Sequence, residues 1–142
     1  MKDKAFIDTN IFVYAFLDSE NSAGHAKHLK AVDFLKPFHS GTEVIISTQV
    51  VSEYYSALLK NKIDDDEIQQ SAQQLASAID VVSLSKRTVF DSFAIRNRFH
   101  YSYWDSLIIA SALEHNCTIL YSEDMQHEQS IEEQLRIINP FK

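Results

Sequence analysis

Apolar and polar positions along the chain switch repeatedly between short uninterrupted apolar runs and helical spacing. Lys4–Asp8 (KAFID) is a brief apolar run that stops at a carboxylate, and Thr9–Leu17 continues as a helix despite its β-branched content. Ser22–Lys36 places alanines, lysines and leucine at helical spacing, with Pro37 just past its end and Gly41 marking a turn. Glu43–Ser47 (EVIIS) reads as a buried strand. Thr48–Asn61 reads as a helix carrying Val51, Tyr54, Tyr55, Leu58 and Leu59 on one stripe. Asp64–Ser77 is predicted helical, with Asp65, Asp66 and Glu67 favourably placed against the positive end of its dipole. Ile79–Leu84 is a predicted strand, and Ser85 caps a helix running to about Arg98. Trp104–Glu114 is a strongly apolar helix, with Asn116 placed to end it in a left-handed turn. Cys117–Tyr121 follows as a strand, Ser122–Gln129 as a polar loop, and Leu135–Ile138 as a last strand closed by Asn139-Pro140.

Strands separated by helices predict an α/β fold, with a parallel sheet covered on both faces. The alternation does not give the strand order, but such sheets bind ligands beyond the carboxyl ends of their strands. A length of 142 residues without repeats or linkers predicts one domain spanning 1–142.

Composition then narrows the chemistry. No window holds the roughly 18–20 apolar residues of a membrane helix, and the N-terminus lacks a signal-peptide core; a cytoplasmic protein without membrane attachment is expected. A single cysteine, Cys117, excludes an internal disulfide framework and any multi-cysteine zinc site. Two glycines exclude a Gly-rich phosphate cradle. The net charge of −7 is unlike that of a chain that simply coats nucleic acid. An acidic chain can still act on a polyanion where metal ions carry the local positive charge.

Four acids share one address in the predicted layout. Asp8 ends the first strand, Glu53 lies early in the helix after the second, Asp105 opens the apolar helix, and Asp124 follows the strand at 117–121. Each has an ordinary explanation: a helix cap, an exposed helix carboxylate, a dipole partner, a turn residue. Gathered together, they repel. Two unit charges about 4 Å apart cost roughly 4 kcal/mol at an effective dielectric near 20. Protons or cations must offset that charge. An all-oxygen set suits hard ions such as Mg²⁺ or Mn²⁺ and fits metal-assisted phosphodiester hydrolysis.

FIDTN at 6–10, SEYYSAL at 52–58 and YWDSLIIASALEHNCTILYSEDM at 103–125 resemble, in order, the four motifs of PIN domains, and INPF at 138–141 resembles the closing strand of a bacterial subgroup. The resemblance covers essentially the whole chain and is greatest to the VapC-like toxins of toxin–antitoxin pairs. It implies a three-layer α/β/α fold with a parallel sheet of about five strands ordered 3-2-1-4-5. It also implies an Mg²⁺- or Mn²⁺-dependent endoribonuclease acting on RNA, and a homodimer held inactive by a cognate antitoxin protein. By the same resemblance Asp8, Glu53 and Asp105 bind metal, Asp124 completes the catalytic set, and Thr9, Asn10 and Ser122 orient the acids or the scissile phosphate. Glu123, beside Asp124, competes for the fourth position.

Other residues carry less. His25 and His28 are spaced to share a helix face but lack a third ligand. His100 and His127 flank the acids in sequence. The run Phe99-His100-Tyr101-Ser102-Tyr103-Trp104 leads into Asp105, either as packing or as a surface for stacking bases. Lysines at 27, 30, 36, 60 and 62 and the bases Lys86, Arg87, Arg96 and Arg98 read either as solvated helix faces or as an RNA track. Two rivals remain beside the endoribonuclease. One is a PIN-fold module that binds RNA or protein without cutting. The other is a phosphatase, which the sequence Asp8-Thr9-Asn10 disfavours because it lacks a D-x-D nucleophile motif.

Overall fold

Helices begin in this chain where a short polar side chain can take up a free backbone N–H. The computed structural model describes residues 3–39 and 43–142, so the turn expected at Gly41 lies outside the described residues. The helices α1 (Thr9–Phe16), α2 (Ser22–Leu35), α3 (Thr48–Lys60), α4 (Asp65–Ala78), α5 (Lys86–Phe99) and α6 (Tyr103–Glu114) start on Asp8, Asn21, Ser47, Asp64, Ser85 and Ser102 respectively. Each of these six caps accepts a first-turn N–H on its side-chain oxygen. Their ends follow equally local rules. α5 stops at His100 and the turn after α6 passes through Asn116, both left-handed with φ near 63° and 62°. The helix predicted to reach Lys36 ends at Leu35 and tightens into a 3₁₀ turn, Lys36–His39, which contains Pro37.

The strands are β1 (Lys4–Ile7), β2 (Glu43–Ser47), β3 (Asp80–Val82), β4 (Ile119–Tyr121), β5 (Ser130–Ile131) and β6 (Leu135–Ile138), in the order β3-β2-β1-β4-β6-β5. The first five in that order run parallel, matching the expected 3-2-1-4-5 with β6 as the fifth. The sixth, β5, is an added antiparallel edge paired only to β6. It returns through Glu132 and Glu133, both at positive φ, with the Gln134 N–H donating to the Ile131 carbonyl at 3.1 Å. That is the geometry of a tight hairpin turn usually marked by Asn-Gly, a signal absent here.

Two predicted strands are shorter than their apolar runs. β3 stops at Val82 because its partner β2 ends opposite, at Ser47, where α3 begins. β4 starts at Ile119 because the Cys117 N–H still bonds back to the Ala112 carbonyl of the α6 terminus.

Stepping from β1 to β2 to β3 moves the chain one way across the sheet, and the return to β4 reverses it. Right-handed crossovers therefore put α1–α4 on one face and α5–α6 on the other. The packing agrees: α1 lies on α2 and α3, α3 on α4, and α5 on α6. α6 is buried continuously from Ser106 to Ala112, as a helix enclosed on all sides must be. Phe6, Ile7, Ile45, Ile46, Ile108, Ile109 and Leu120 fill the centre between the layers. The reversal of strand order falls at β1, flanked by β2 and β4, so the carboxyl end of β1 sits at the topological switch point.

Candidate functional site

Asp8 is the residue that leaves β1 at that point and caps α1. It is only 7% exposed, yet both carboxylate oxygens are held. Oδ1 accepts the Thr9 N–H at 2.7 Å and Oδ2 accepts the hydroxyl of the fully buried Ser122 at 2.9 Å. Burial pushes its pKa from 3.8 up to about 7, against the lowering effect of those two hydrogen bonds; the charges of Asp105 and Glu53 add to the rise.

The other three acids arrive from separate elements. Glu53 projects from the second turn of α3, and its Oε1 accepts the Thr9 hydroxyl at 2.9 Å. Asp105 sits in the first turn of α6, where its own N–H is capped by Ser102 Oγ at 3.1 Å. Its carboxyl is raised chiefly by burial and then by the charges of Asp124 and Glu53. Asp124 stands in the loop after β4, with Oδ2 accepting from Asn10 Nδ2 at 2.7 Å. It too is raised, by partial burial of its carboxyl and by Glu123, while Lys27 and Asn10 pull it down.

All four line one cavity of about 300 Å³, together with Thr9, Asn10, Ser56, Ala57 and Lys60. Consecutive residues on α1 thus serve different acids: Thr9 holds Asp8 and Glu53, and Asn10 holds Asp124. Glu123 goes elsewhere. It pairs with Lys27 of α2, whose ammonium also lies 4.9 Å from the centre of the Tyr14 ring, and it does not line the cavity.

Among the described residues, no three His, Cys, Asp or Glu side chains already stand close enough together to grip a metal ion. The donor chemistry nevertheless fits a hard divalent cation. The acids facing the cavity are all carboxylates; burial raises Asp8, Asp105 and Asp124, repulsion from the other cavity acids adds to the rise of the first two, and only Lys60 among the lining residues brings a positive charge.

The remaining sequence candidates disperse. His127 Nδ1 accepts the Asn139 N–H at 3.0 Å and His100 ends α5. His28 Nδ1 is 2.9 Å from the Tyr14 carbonyl and His25 Nδ1 is 2.6 Å from Asp18, so the two rings stack without sharing a third ligand. Lys36, Arg87 and Arg98 pair with Asp33, Asp91 and Glu132, and Arg96 donates to the Tyr101 carbonyl, which accounts for much of the basic track locally. Lys60 and Ser56 were not singled out for the site from the sequence. The signal was present: Ser56 and Lys60 lie three and seven residues after Glu53, on the same helix face.

A family model described as "PIN domain" matches residues 5–130. Among solved structures, the chain is similar to a toxin–antitoxin complex from Klebsiella pneumoniae (TM-score 0.69, 19% identity, covering 96% of this chain and 97% of that one). It is similar to VapBC-1 from nontypeable Haemophilus influenzae (TM-score 0.70, 14% identity, 98% and 99% covered). It is also similar to VapC20 from Mycobacterium tuberculosis, described as a sarcin-ricin loop cleaving toxin (TM-score 0.64, 18% identity, 82% and 86% covered). No curated protein sequence matches.

Proposed function

The chain belongs to the PIN domain family, and from that premise we propose that it is a metal-dependent endoribonuclease, the toxin of a toxin–antitoxin pair. The observation that carries the reading is the cavity at the switch point, which four carboxyls from four elements line together with one lysine. Asp8, Glu53 and Asp105 would hold Mg²⁺ or Mn²⁺, with Asp124 completing the set. A divalent ion bound there supplies Lewis acidity toward a phosphate and lowers the pKa of attached water.

The chain's own residues do the rest. Thr9 and Ser122 fix both oxygens of Asp8, and the Thr9 hydroxyl and the Asn10 amide aim Glu53 and Asp124. Lys60 offers its ammonium to the phosphate of the strand. Hydrolysis forms a bond from water oxygen to phosphorus and breaks the bond to the 3′ oxygen, which takes the proton. The products are a 5′-phosphate and a 3′-hydroxyl.

The reading extends to partners: a homodimer, with exposed Phe90 and Phe93 as an apolar contact face, and a cognate antitoxin. The similar structures from K. pneumoniae and H. influenzae, one described as a toxin–antitoxin complex and the other as VapBC-1, support the second. The unit is one domain acting in the cytoplasm. Among the described residues, no helix is long and apolar enough to cross a membrane.

The test is incubation of purified chain with total cellular RNA and Mn²⁺ or Mg²⁺, with product ends mapped. Fragments bearing 5′-phosphates are expected from the wild type, and none from Asp105→Asn or in the presence of EDTA. Equal cleavage by Asp105→Asn refutes the assignment.

One observation favours a second reading, a PIN-fold module that binds RNA or protein without cutting. Among the described residues, the acids do not form a ready-made metal clamp. That reading expects RNA binding that survives both Asp105→Asn and EDTA.

A further inference from the structure

The acidic cavity opens onto a neighbour of different character. A pocket of about 410 Å³ shares Glu53 and Ser56 with it and continues over Gln49, Leu84, Trp104 and Leu107. Gln49 is 94% buried, being only 6% exposed, and its Nε2 donates to the Trp104 carbonyl at 3.0 Å. A backbone carbonyl only accepts, so the amide is locked with its NH₂ on Trp104 and its oxygen free. Among the described residues, Oε1 of Gln49 finds no donor. A buried acceptor left unmatched is costly; Gln49 lines the pocket, so a turn of its side chain would present Oε1 to a ligand N–H that satisfies it. Beside it Trp104 is 60% exposed, and its ring packs edge-on against Tyr103 with centres 5.0 Å apart.

A flat aromatic face, an apolar wall from Leu84 and Leu107 and one unmatched acceptor are complementary to a nucleobase, which offers a π-face and an N–H edge. We infer that this pocket is a base subsite for the nucleotide flanking the scissile bond, with Trp104 as its stacking platform and Gln49 Oε1 as its hydrogen-bond acceptor. The shared walls Glu53 and Ser56 keep a base seated there next to the cavity proposed for its phosphate. The inference deepens the RNA-cleaving reading and rests on it for which nucleotide is held, but not for whether a base binds.

Trp104 also continues through Tyr103 and Phe93 to Phe90, with ring centres 5.0, 6.2 and 5.8 Å apart. A second copy of the chain is therefore the competing occupant. The unmatched acceptor and the junction with the acidic cavity favour the base.

Trp104 is the single tryptophan, so its emission reports directly on stacking. The four nucleosides, uncharged and therefore not repelled by the acids, are titrated into the metal-free wild type. Saturable quenching by at least one of them is expected, weakened about tenfold by Gln49→Leu through loss of one hydrogen bond. Should Gln49→Leu fail to fold, Leu84→Arg fills the pocket instead and is expected to abolish saturation. Quenching that rises linearly to the solubility limit for all four nucleosides overturns the inference. So does saturable quenching that neither folded variant alters. Conversion of a dimer to a monomer by Trp104→Ala, read by sedimentation, together with non-saturable quenching, assigns the face to a second copy and also overturns it. Saturable binding in a protein that cuts no RNA leaves the subsite standing and removes the nuclease reading instead.

Discussion

Asp8 carries a cost that a single substitution should expose. Asn caps helices as well as Asp does, so Asp8→Asn keeps the start of α1 while removing the buried charge. Its Oδ1 still accepts the Thr9 N–H, and the Ser122 hydroxyl can turn to accept from Nδ2. In the metal-free protein the unfolded carboxyl ionises near 3.8 and the folded one near 7. Between those values the folded state holds the extra proton, so raising the pH through this window destabilises the wild type. At 1.36 kcal/mol per pH unit, the rise from 3.8 to about 7 is worth ~4 kcal/mol, the order of a large single-site effect. Urea denaturation of both proteins in EDTA, followed by far-ultraviolet circular dichroism from about pH 4 to about pH 8, reads this directly. The variant is expected to gain on the wild type steadily with pH, reaching several kcal/mol of advantage near pH 8, with the pH-dependent gain vanishing near pH 4. A difference between the two that stays constant across the range, or a variant that loses ground as pH rises, refutes the electrostatic account of Asp8.

Further expectations concern the residues around it. Thr9→Val keeps the shape but removes the hydroxyl that holds Glu53. It should lower kcat roughly tenfold with little change in melting temperature, as loss of a residue supporting metal ligands does, and an unchanged kcat argues against an orienting role. Lys60→Gln should weaken RNA binding and reduce the slope of log K against log salt by about one, the signature of a lost phosphate contact; an unchanged slope places Lys60 off the strand's path. Cys117 is buried, and burial pushes its thiol up to about 12. The native protein should therefore resist a thiol reagent that labels it at once in denaturant, and fast native labelling would contradict the packing between α6 and β4.

Most of the candidate site was legible because Asp8, Asp105 and Asp124 sit at or beside element boundaries, which local chemistry marks well. Asp8 closes an apolar run, and Asp105 follows a serine cap by three residues. What the sequence could not show was which way neighbouring side chains turn. Glu123 and Asp124 are adjacent and chemically alike, and only the position of Lys27 on α2 separates them. Ser56 and Lys60 could have been read from their spacing after Glu53. Gln49 carried no such signal, because its orientation depends on a carbonyl 55 residues away. In the fold, the order of the parallel strands came through resemblance. The β5–β6 hairpin escaped because its turn uses two glutamates at positive φ where Asn-Gly would have announced it.

In the proposed reading, acids dispersed over 117 positions, from Asp8 to Asp124, act as one metal site. Calorimetric titration of Mn²⁺ into the purified, antitoxin-free chain, wild type against Asp105→Asn, tests it without knowledge of the RNA. Saturable binding is expected in the wild type, and its loss in the variant. Near neutral pH the heat should vary with the ionisation enthalpy of the buffer, as the metal displaces the proton that burial keeps on Asp8. No binding by a folded wild type, or equal binding by Asp105→Asn, would contradict it.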